Sequence, residues 1–328
     1  MRQKPMNNRV LVITNKEDVT VDFVIDKLKK NSIDYYRFNT EDIGSVVSIL
    51  FDGSSYFLKD KNKNIDVEID DFDSIYFRRP KLPQPMNNLT PGEQYFYSTE
   101  ITTFLEGLYR SLAEKYWLNS VFDIRMLENK PYQISLAKGL GLNVPELCIS
   151  NDFDRCRKFV SERGQCIFKP LKVGLIQEQG DKGKVLYTTK VDDKYMDNIE
   201  THGAMPVYLQ EQINKNYDIR VTVIGKNVFS AKIISQDDEV SKVDWRKSET
   251  MLSHERLDLP ADIREKCLSM CDKFNLDFAA IDFVLDNNGR FWFLEINPNG
   301  QWAWIESLLE YPVSDEIARL LASGGMKC

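Results

Sequence analysis

Histidine is nearly absent: the 328 residues contain two, His202 and His254. A histidine-rich metal centre is therefore excluded. A Ser-His-Asp or Cys-His device would have to use one of these two, and neither stands in a recognisable nucleophile context. Both are expected at the surface. The cysteines (Cys148, Cys156, Cys166, Cys267, Cys271, Cys328) include no C-x-x-C, which removes zinc-ribbon and thioredoxin-type chemistry. Cys267 and Cys271 lie one helical turn apart on an apolar stripe, the pattern of buried packing. Together the thiols suit a reducing, cytoplasmic setting. There is no excess of positive charge: Lys+Arg number 43 against 50 Asp+Glu, a net charge of -7. That balance argues against a dedicated nucleic-acid binder. No apolar run approaches the roughly 20 residues needed to span a bilayer. The opening MRQKPMNNRV lacks the apolar core of a signal peptide, so no membrane association is expected.

What is present reads as a mixed α/β chain of two or three units, at roughly 100–200 residues per domain. Arg9–Thr14 is a short apolar strand, and Asp18–Lys30 carries Val21, Val24, Ile25 and Leu28 at helical spacing. Asp34–Asn39 is the next strand, giving β-α-β order and a parallel pair. Residues 46–77 alternate in short runs that read as antiparallel strands, the last being Ser74–Phe77. Arg78 and Arg79 follow it, and are expected to pair with acidic residues at the domain junction in a structural role. Thr90-Pro91-Gly92-Glu93 has capping-box form and opens a long helix. Asn129-Lys130-Pro131 opens another helix. Cys166–Leu171, Val185–Val191 and Pro206–Ile213 read as strands, with Gly-containing turns from 173 to 183. A hairpin turns at Gly225-Lys226-Asn227. Residues 236–259 are polar and irregular, a mobile loop by composition. Pro260–Phe274 is an amphipathic helix, a second hairpin turns at Asp286–Gly289, and two short helices close the chain. The expected division is 1–120, 121–205 and 206–328.

The stretch DFAAIDFVLDNNGRFWFLEINPNGQW carries the chemistry. Asp282 sits on one strand of the hairpin. Glu295 and Asn297 sit on the other, two residues apart and so on one face. Folding at the turn brings Asp282 opposite the Glu295–Asn297 end. Three oxygen donors converging in this way suit magnesium, which takes few protein ligands and completes its shell with water and phosphate oxygens. One carboxylate can also bridge two ions. Charges set within apolar runs are unlike casual surface residues.

Upstream features fit a nucleotide. Lys169 ends an apolar strand and Lys130 opens a helix; both could hold phosphate oxygens, with the loop around Gly174 and Gly180 closing over them. Gln210-Glu211-Gln212-Ile213 offers a hinge whose backbone and Glu211 could read an adenine edge. Asp218 could accept from ribose hydroxyls, and Arg220, on the same side, could meet phosphate. There is no G-x-x-x-x-G-K-[ST] loop, no protein-kinase motif set and no G-x-G-x-x-G after the first strand. ATP, if bound, is then held between antiparallel sheets.

This order of elements resembles the ATP-grasp superfamily over about residues 120–325, with an N-terminal α/β pre-ATP-grasp domain ahead of it. The matching pieces are IFKP, LQEQI, DIRVTVIG and AIDF…FLEINPNGQW. The resemblance implies Mg²⁺ ligands at Asp282, Glu295 and Asn297, with two ions. It implies phosphate contacts at Lys130 and Lys169, adenine contacts at Glu211, Gln212 and Ile213, and ribose at Asp218. A narrower resemblance rests on Tyr76-Phe77-Arg78-Arg79-Pro80, on Asp244-Trp245-Arg246 after Ser235-Gln236, and on Asn297-Pro298-Asn299-Gly300-Gln301-Trp302. These are similar to the peptide maturases of the microviridin and graspetide type, with the plesiocin-type macrocyclases nearest. What that implies is a Mg²⁺- and ATP-dependent macrocyclase. It would activate Asp or Glu side chains of a ribosomal precursor peptide as acyl-phosphates and join them to Thr or Ser hydroxyls, or to Lys amines. The partner would be a leader peptide with a Thr/Glu-rich core, and the enzyme a homodimer. Arg246 and Arg220 are the catalytic candidates, Arg246 as a clamp on the acceptor carboxylate or its oxyanion. The turn at Gly180–Lys184 and the 236–259 loop are candidates for leader binding. The alternatives are an ATP-grasp ligase that adds an amino acid to a small carboxylic acid or a protein tail, and an ATP-binding scaffold that has lost turnover.

Overall fold

The computed structural model describes residues 8–85, 88–172, 175–176, 184–237, 241–248 and 250–325. The chain forms two compact units interleaved along the sequence. One comprises Met1–Ile124, Asn275–Phe278 and Asn299–Cys328; the other comprises Arg125–Phe274 and Ala279–Pro298.

In the first unit β1 (Val10–Thr14) is buried along its whole length, as a parallel strand covered on both faces must be. Asp18 caps α1 (Val19–Lys30), its Oδ1 accepting from the Thr20 N–H at 3.0 Å. The chain returns as β2 (Tyr35–Asn39), parallel to β1. Next, β3 (Val47–Phe51), β4 (Tyr56–Asp60) and β5 (Ile65–Glu68) form the expected antiparallel sheet. The strand after them, β6 (Ser74–Phe77), departs from expectation and pairs parallel with β1, Val10 opposite Ser74. All four of its residues are buried, so it shows no alternation from which a partner could be read. The capping box is present at α2 (Pro91–Ser111): Thr90 and Glu93 satisfy one another's backbone donors. This helix buries Leu105, Leu108 and Tyr109 against Ile75, Phe77 and Trp117, the last from β7 (Tyr116–Trp117).

Arg78 is 1% exposed. Its Nε lies 3.0 Å from Asp18 Oδ2, and its guanidinium donates to Gly300 O at 3.2 Å and Gln301 Oε1 at 2.8 Å. Arg79 donates to Asn299 O at 3.2 Å. Arg78 is thus structural, but its acidic partner, Asp18, lies within its own unit and not at the expected junction.

A short helix α3 (Val121–Leu127) runs into the second unit, where Asn129 caps α4 (Lys130–Gly139). One sheet is built from β8 (Leu147–Ser150), β9 (Cys166–Lys169), β12 (Thr189–Lys190) and β13 (Val207–Glu211), in the order β12-β9-β13-β8. On it pack α5 (Phe153–Arg163) and the 193–202 segment carrying α6 (Asp193–Asp197), through Cys156, Ile199, Val207 and Leu209. Between β9 and β12 lie the paired β10 (Leu175–Ile176) and β11 (Lys184–Val185). The single strand expected over Val185–Val191 is therefore two, broken at 186–188.

The other sheet contains β14 (Lys215–Ile224), β15 (Asn227–Ile234), β16 (Ser253–Arg256), β17 (Phe278–Asp286) and β18 (Phe291–Asn297), ordered β16-β15-β14-β17-β18. Between β16 and β17, α7 (Ala261–Lys273) buries Ile263, Cys267, Met270 and Cys271, the predicted stripe. The described residues of the 236–259 segment are more ordered than its composition suggests. Ser253–Arg256 is a strand paired with β15, and Ser241 is fully buried, its hydroxyl bound to Ser235 O at 2.7 Å. The two histidines, expected at the surface, are half-buried; His202 stacks on Phe168 with ring centroids 6.4 Å apart.

The closing helices, α8 (Ala303–Leu309) and α9 (Val313–Ser323), belong to the first unit, where Lys27 of α1 meets Asp315 of α9 at 2.6 Å. Among the described residues no helix is long and apolar enough to cross a membrane.

Candidate active site

Strand register delivers the hairpin carboxylates. Asp282 stands directly opposite Glu295, and Ala280 opposite Asn297. The register then jumps to Phe283 opposite Phe293, leaving Leu294 as an extra residue. Such a bulge twists the strand and re-aims the side chains beside it, and bulges concentrate next to active sites. A residue that sequence reasoning passed over holds this strand in place. Gln133 of α4 is buried; its Oε1 accepts from the Ile296 N–H at 3.1 Å, and its amide donates to Ile296 O at 2.9 Å and Leu127 O at 2.7 Å. The backbone between Glu295 and Asn297 is thereby pinned.

These residues border a cleft of about 370 Å³ within the second unit, a volume typical of small-ligand sites. Lys130, Lys169, Glu211, Gln212, Ile213, Asp218, Arg246, Asp282, Glu295 and Asn297 all line it. Arg220 reaches it through Asp282: Nε to Oδ1 is 2.6 Å and Nη2 to Oδ2 is 3.3 Å, a two-pronged pair. Lys130 Nζ lies 3.5 Å from Glu295 and donates to Pro170 O at 2.8 Å, tying the start of α4 to the end of β9.

The electrostatics are those of a concentrated charge cluster. Burial pushes the Asp282 carboxyl up, to about 6, against the pull of Arg220. Burial also acts on Glu295, but Lys130, Arg246 and Lys169 outweigh it and hold that carboxyl below its usual range. Burial lowers the Lys169 ammonium to about 8, with Glu295 opposing and Lys130 assisting. Lysines and arginines interleaved with two carboxylates around one cleft are an arrangement suited to a polyphosphate with a divalent metal. The donor set, two carboxylates and an amide, is hard and oxygen-only, and fits magnesium. Among the described residues no cluster of three or more His, Cys, Asp and Glu side chains offers a different metal site.

Asp218 is buried, and its Oδ2 accepts from Lys215 Nζ and Ser235 Oγ, each at 2.5 Å. At the hinge the Glu211 N–H bonds Glu146 O at 2.8 Å and the Gln212 N–H bonds Gln165 O at 2.9 Å, so these two donors are spent within the fold. A neighbouring side chain is better placed to meet a ligand. Gln210 is 1% exposed and lines the cleft; its amide nitrogen reaches Tyr208 Oη at 3.4 Å, and its Oε1 has no partner among the described residues. An unpaired buried acceptor facing a cleft is costly unless a ligand donor completes it. Strand alternation could have shown it, because Val207 and Leu209 face the core and Tyr208 and Gln210 the other side. The expected phosphate loop around Gly174 and Gly180, and most of the Gly180–Lys184 turn, lie outside the described residues.

Fold and cleft together define an ATP-grasp ligase. The MvdD pre-ATP grasp domain model matches residues 9–125, and the RimK-like ATP-grasp domain model matches residues 128–321. The chain belongs to the RimK-like ATP-grasp family and, with its MvdD-type N-terminal domain, to the ATP-grasp ligases and macrocyclases associated with ribosomally made, modified peptides. Among solved structures it is similar to a RiPP-associated ATP-grasp ligase of Chryseobacterium gregarium in complex with ADP and a leader and core peptide. That match has 26% identity and a TM-score of 0.87, and covers 96% of this chain and 97% of that one. It is also similar to the macrocyclase MdnC of Microcystis aeruginosa MRC bound with precursor peptide MdnA, at 25% identity and TM-score 0.84, covering 96% of this chain and 99% of that one. The ligase PsnB, complexed with a phosphomimetic variant of minimal precursor, Mg and ADP, shares the fold at 20% identity and TM-score 0.74, covering 97% and 98% of the two chains. No curated protein matches significantly.

Proposed function

We propose that this ligase is a peptide macrocyclase: it activates Asp or Glu side chains of a ribosomally made precursor peptide with ATP and joins them to Thr or Ser hydroxyls, or to Lys amines. The observation that carries the reading is the meeting of Asp282 and Glu295 with Lys130, Lys169, Arg220 and Arg246 around one cleft. The peptide-bound relatives supply the substrate class.

A carboxylate is a poor electrophile, and a triphosphate repels it. Lys130 and Lys169 would bind phosphate oxygens, and the Gln210 acceptor would take the adenine amino group beside the Glu211–Ile213 hinge, with Asp218 toward the ribose. Asp282, Glu295 and Asn297 would hold magnesium, as two ions, which neutralises phosphate charge. A substrate carboxylate oxygen attacks the γ-phosphorus and ADP departs, leaving an acyl-phosphate. Arg246 clamps the acceptor carboxylate and then the oxyanion that forms when the hydroxyl or amine attacks the acyl carbon. Phosphate leaves as the new ester or amide forms, and the nucleophile's proton passes to phosphate or solvent. Positioning of the nucleophile does most of the remaining work. By resemblance the products are esters and the enzyme is a homodimer in the cytoplasm.

The test is mass spectrometry of the whole chain with ATP, magnesium and the precursor peptide encoded beside its gene. Loss of one water per ring supports the proposal. Gain of an amino-acid residue on peptide or small acid selects the amino-acid ligase instead, and absence of ADP formation with any acceptor leaves a scaffold. Light scattering tests the dimer.

A further inference from the structure

Arg246 ends the tripeptide Asp244-Trp245-Arg246, whose first residue lines the same cleft and is engaged by protein donors. Asp244 is buried, and both of its carboxylate oxygens are engaged. Oδ1 accepts from Arg246 Nε at 2.8 Å and from the Arg246 backbone N–H at 3.2 Å; Oδ2 accepts from Arg246 Nη2 at 2.7 Å and from the Thr188 N–H at 3.2 Å. The carboxylate therefore grips one edge of the guanidinium fork and at the same time ties down the 186–188 segment that lines the cleft. The intervening Trp245 lies beside Arg220, whose guanidinium carbon is 5.9 Å from the ring centroid. Lys215 Nζ to Val243 O (3.4 Å) and Gln236 Nε2 to Lys242 O (3.3 Å) fix the backbone ahead of it. Side chains as long as arginine lose much rotamer freedom when ordered, so a guanidinium already gripped on one edge pays less to meet an anion with the other.

We infer that Asp244 is a positioning residue: it holds Arg246 at the cleft that Asp282 and Glu295 line, so that the opposite edge of the guanidinium, which clamps the acceptor carboxylate, also meets the γ-phosphoryl group as it passes from nucleotide to that carboxylate. The inference rests on the nucleotide reading of the cleft and extends it. Two facts place Arg246 at that end. It lines the cleft together with Asp282 and Glu295, and its charge acts on both carboxylates. The Asp244 pair keeps the guanidinium firmly protonated.

The experiment compares binding of the ATP mimic AMPPNP and of ADP, each with Mg²⁺, to the full chain by calorimetry. Arg246→Ala and Asp244→Asn should each weaken AMPPNP about tenfold and leave ADP within about twofold, because one charge-assisted contact to the γ-phosphoryl is lost. The double variant should bind AMPPNP no more weakly than Arg246→Ala, since Asp244→Asn still offers an oxygen to the Thr188 N–H and only the grip on the arginine is lost. Unchanged AMPPNP affinity in Asp244→Asn overturns the inference, as do additive losses or an equal loss for both nucleotides. If the wild-type chain binds neither, the nucleotide reading falls and this inference with it. Should Asp244→Asn fail to fold, the wild-type Arg246 Nε–H resonance, identified by its loss in Arg246→Lys, decides. A protected signal at neutral pH supports the grip, and one exchanging like a solvated arginine overturns it.

Discussion

Replacing Arg78 by methionine tests whether this arginine is a strut of its unit or a docking group. The substitution keeps an unbranched side chain of related shape and removes the charge. It strands Asp18, whose side chain is 4% exposed, in a site built for its partner. Removing one member of a buried ion pair costs about 3–5 kcal/mol. Gly300 O also loses its donor, whereas Gln301 Oε1 keeps the Thr20 hydroxyl at 3.0 Å. The Nε to Asp18 approach is close in distance but poorly aligned as a hydrogen bond, which argues for the lower part of that range. A loss of about 3–4 kcal/mol in the opening free energy of the first unit is expected. Amide hydrogen exchange read by mass spectrometry on peptides spanning β1 and β6 measures it. Adding Asp18→Asn should recover half or more, because the stranded charge is gone while the α1 cap persists. A loss under about 1 kcal/mol would place Arg78 among ordinary surface cations and refute the argument.

Three further outcomes follow from single contacts. A Cβ at Gly107 of α2 would lie 2.3 Å from Tyr56 Oη, on a ring tilted against Phe51 with centroids 4.6 Å apart; Gly107→Ala should therefore destabilise by about 1–3 kcal/mol, where a free helical site would gain about 1. Thermal unfolding reads this, and Tyr56→Phe should relieve part of it. Gln210→Leu should weaken ATP about tenfold and narrow the preference for ATP over GTP, since the adenine amino group loses its acceptor; calorimetry with both nucleotides checks it, and an unchanged preference would disprove the role. Burial alone pushes the Cys267 thiol up to about 12. Above its ordinary value the unfolded chain gives up a proton that the folded chain keeps, so stability falls as pH rises toward 12. Cys267→Ala should flatten that slope by up to about 1.4 kcal/mol per pH unit in urea titrations.

Much of the site was legible in the chain. Alternation put Glu295 and Asn297 on one face, and the Asp286–Gly289 turn brought Asp282 to the Glu295–Asn297 end of the partner strand, although counting from the turn alone would set it against Leu294. These depend on neighbours within one hairpin. Caps were equally local: Thr90 with Glu93, and Asn129 ahead of Lys130. The bulge that skips Leu294 was not legible, because it answers to packing on both faces of the sheet. Asp244 and Gln210 were named within motifs but given no role of their own, for a related reason. One reads as a polar loop residue and the other as one of several amides, until their burial is known.

Periodicity, turn chemistry and capping are written into runs of a few residues, and from these the sequence alone determined the elements, the metal-type hairpin and its likeness to a ligase family. Only the tertiary structure decided that β6 runs parallel to β1, that Arg78 is paired within its own unit, and that Asp244 grips Arg246. Strand partners and buried ion pairs join residues far apart in the chain or set in irregular loops. Which pairing wins depends on the total surface buried and every polar group satisfied, quantities that no short stretch of sequence contains.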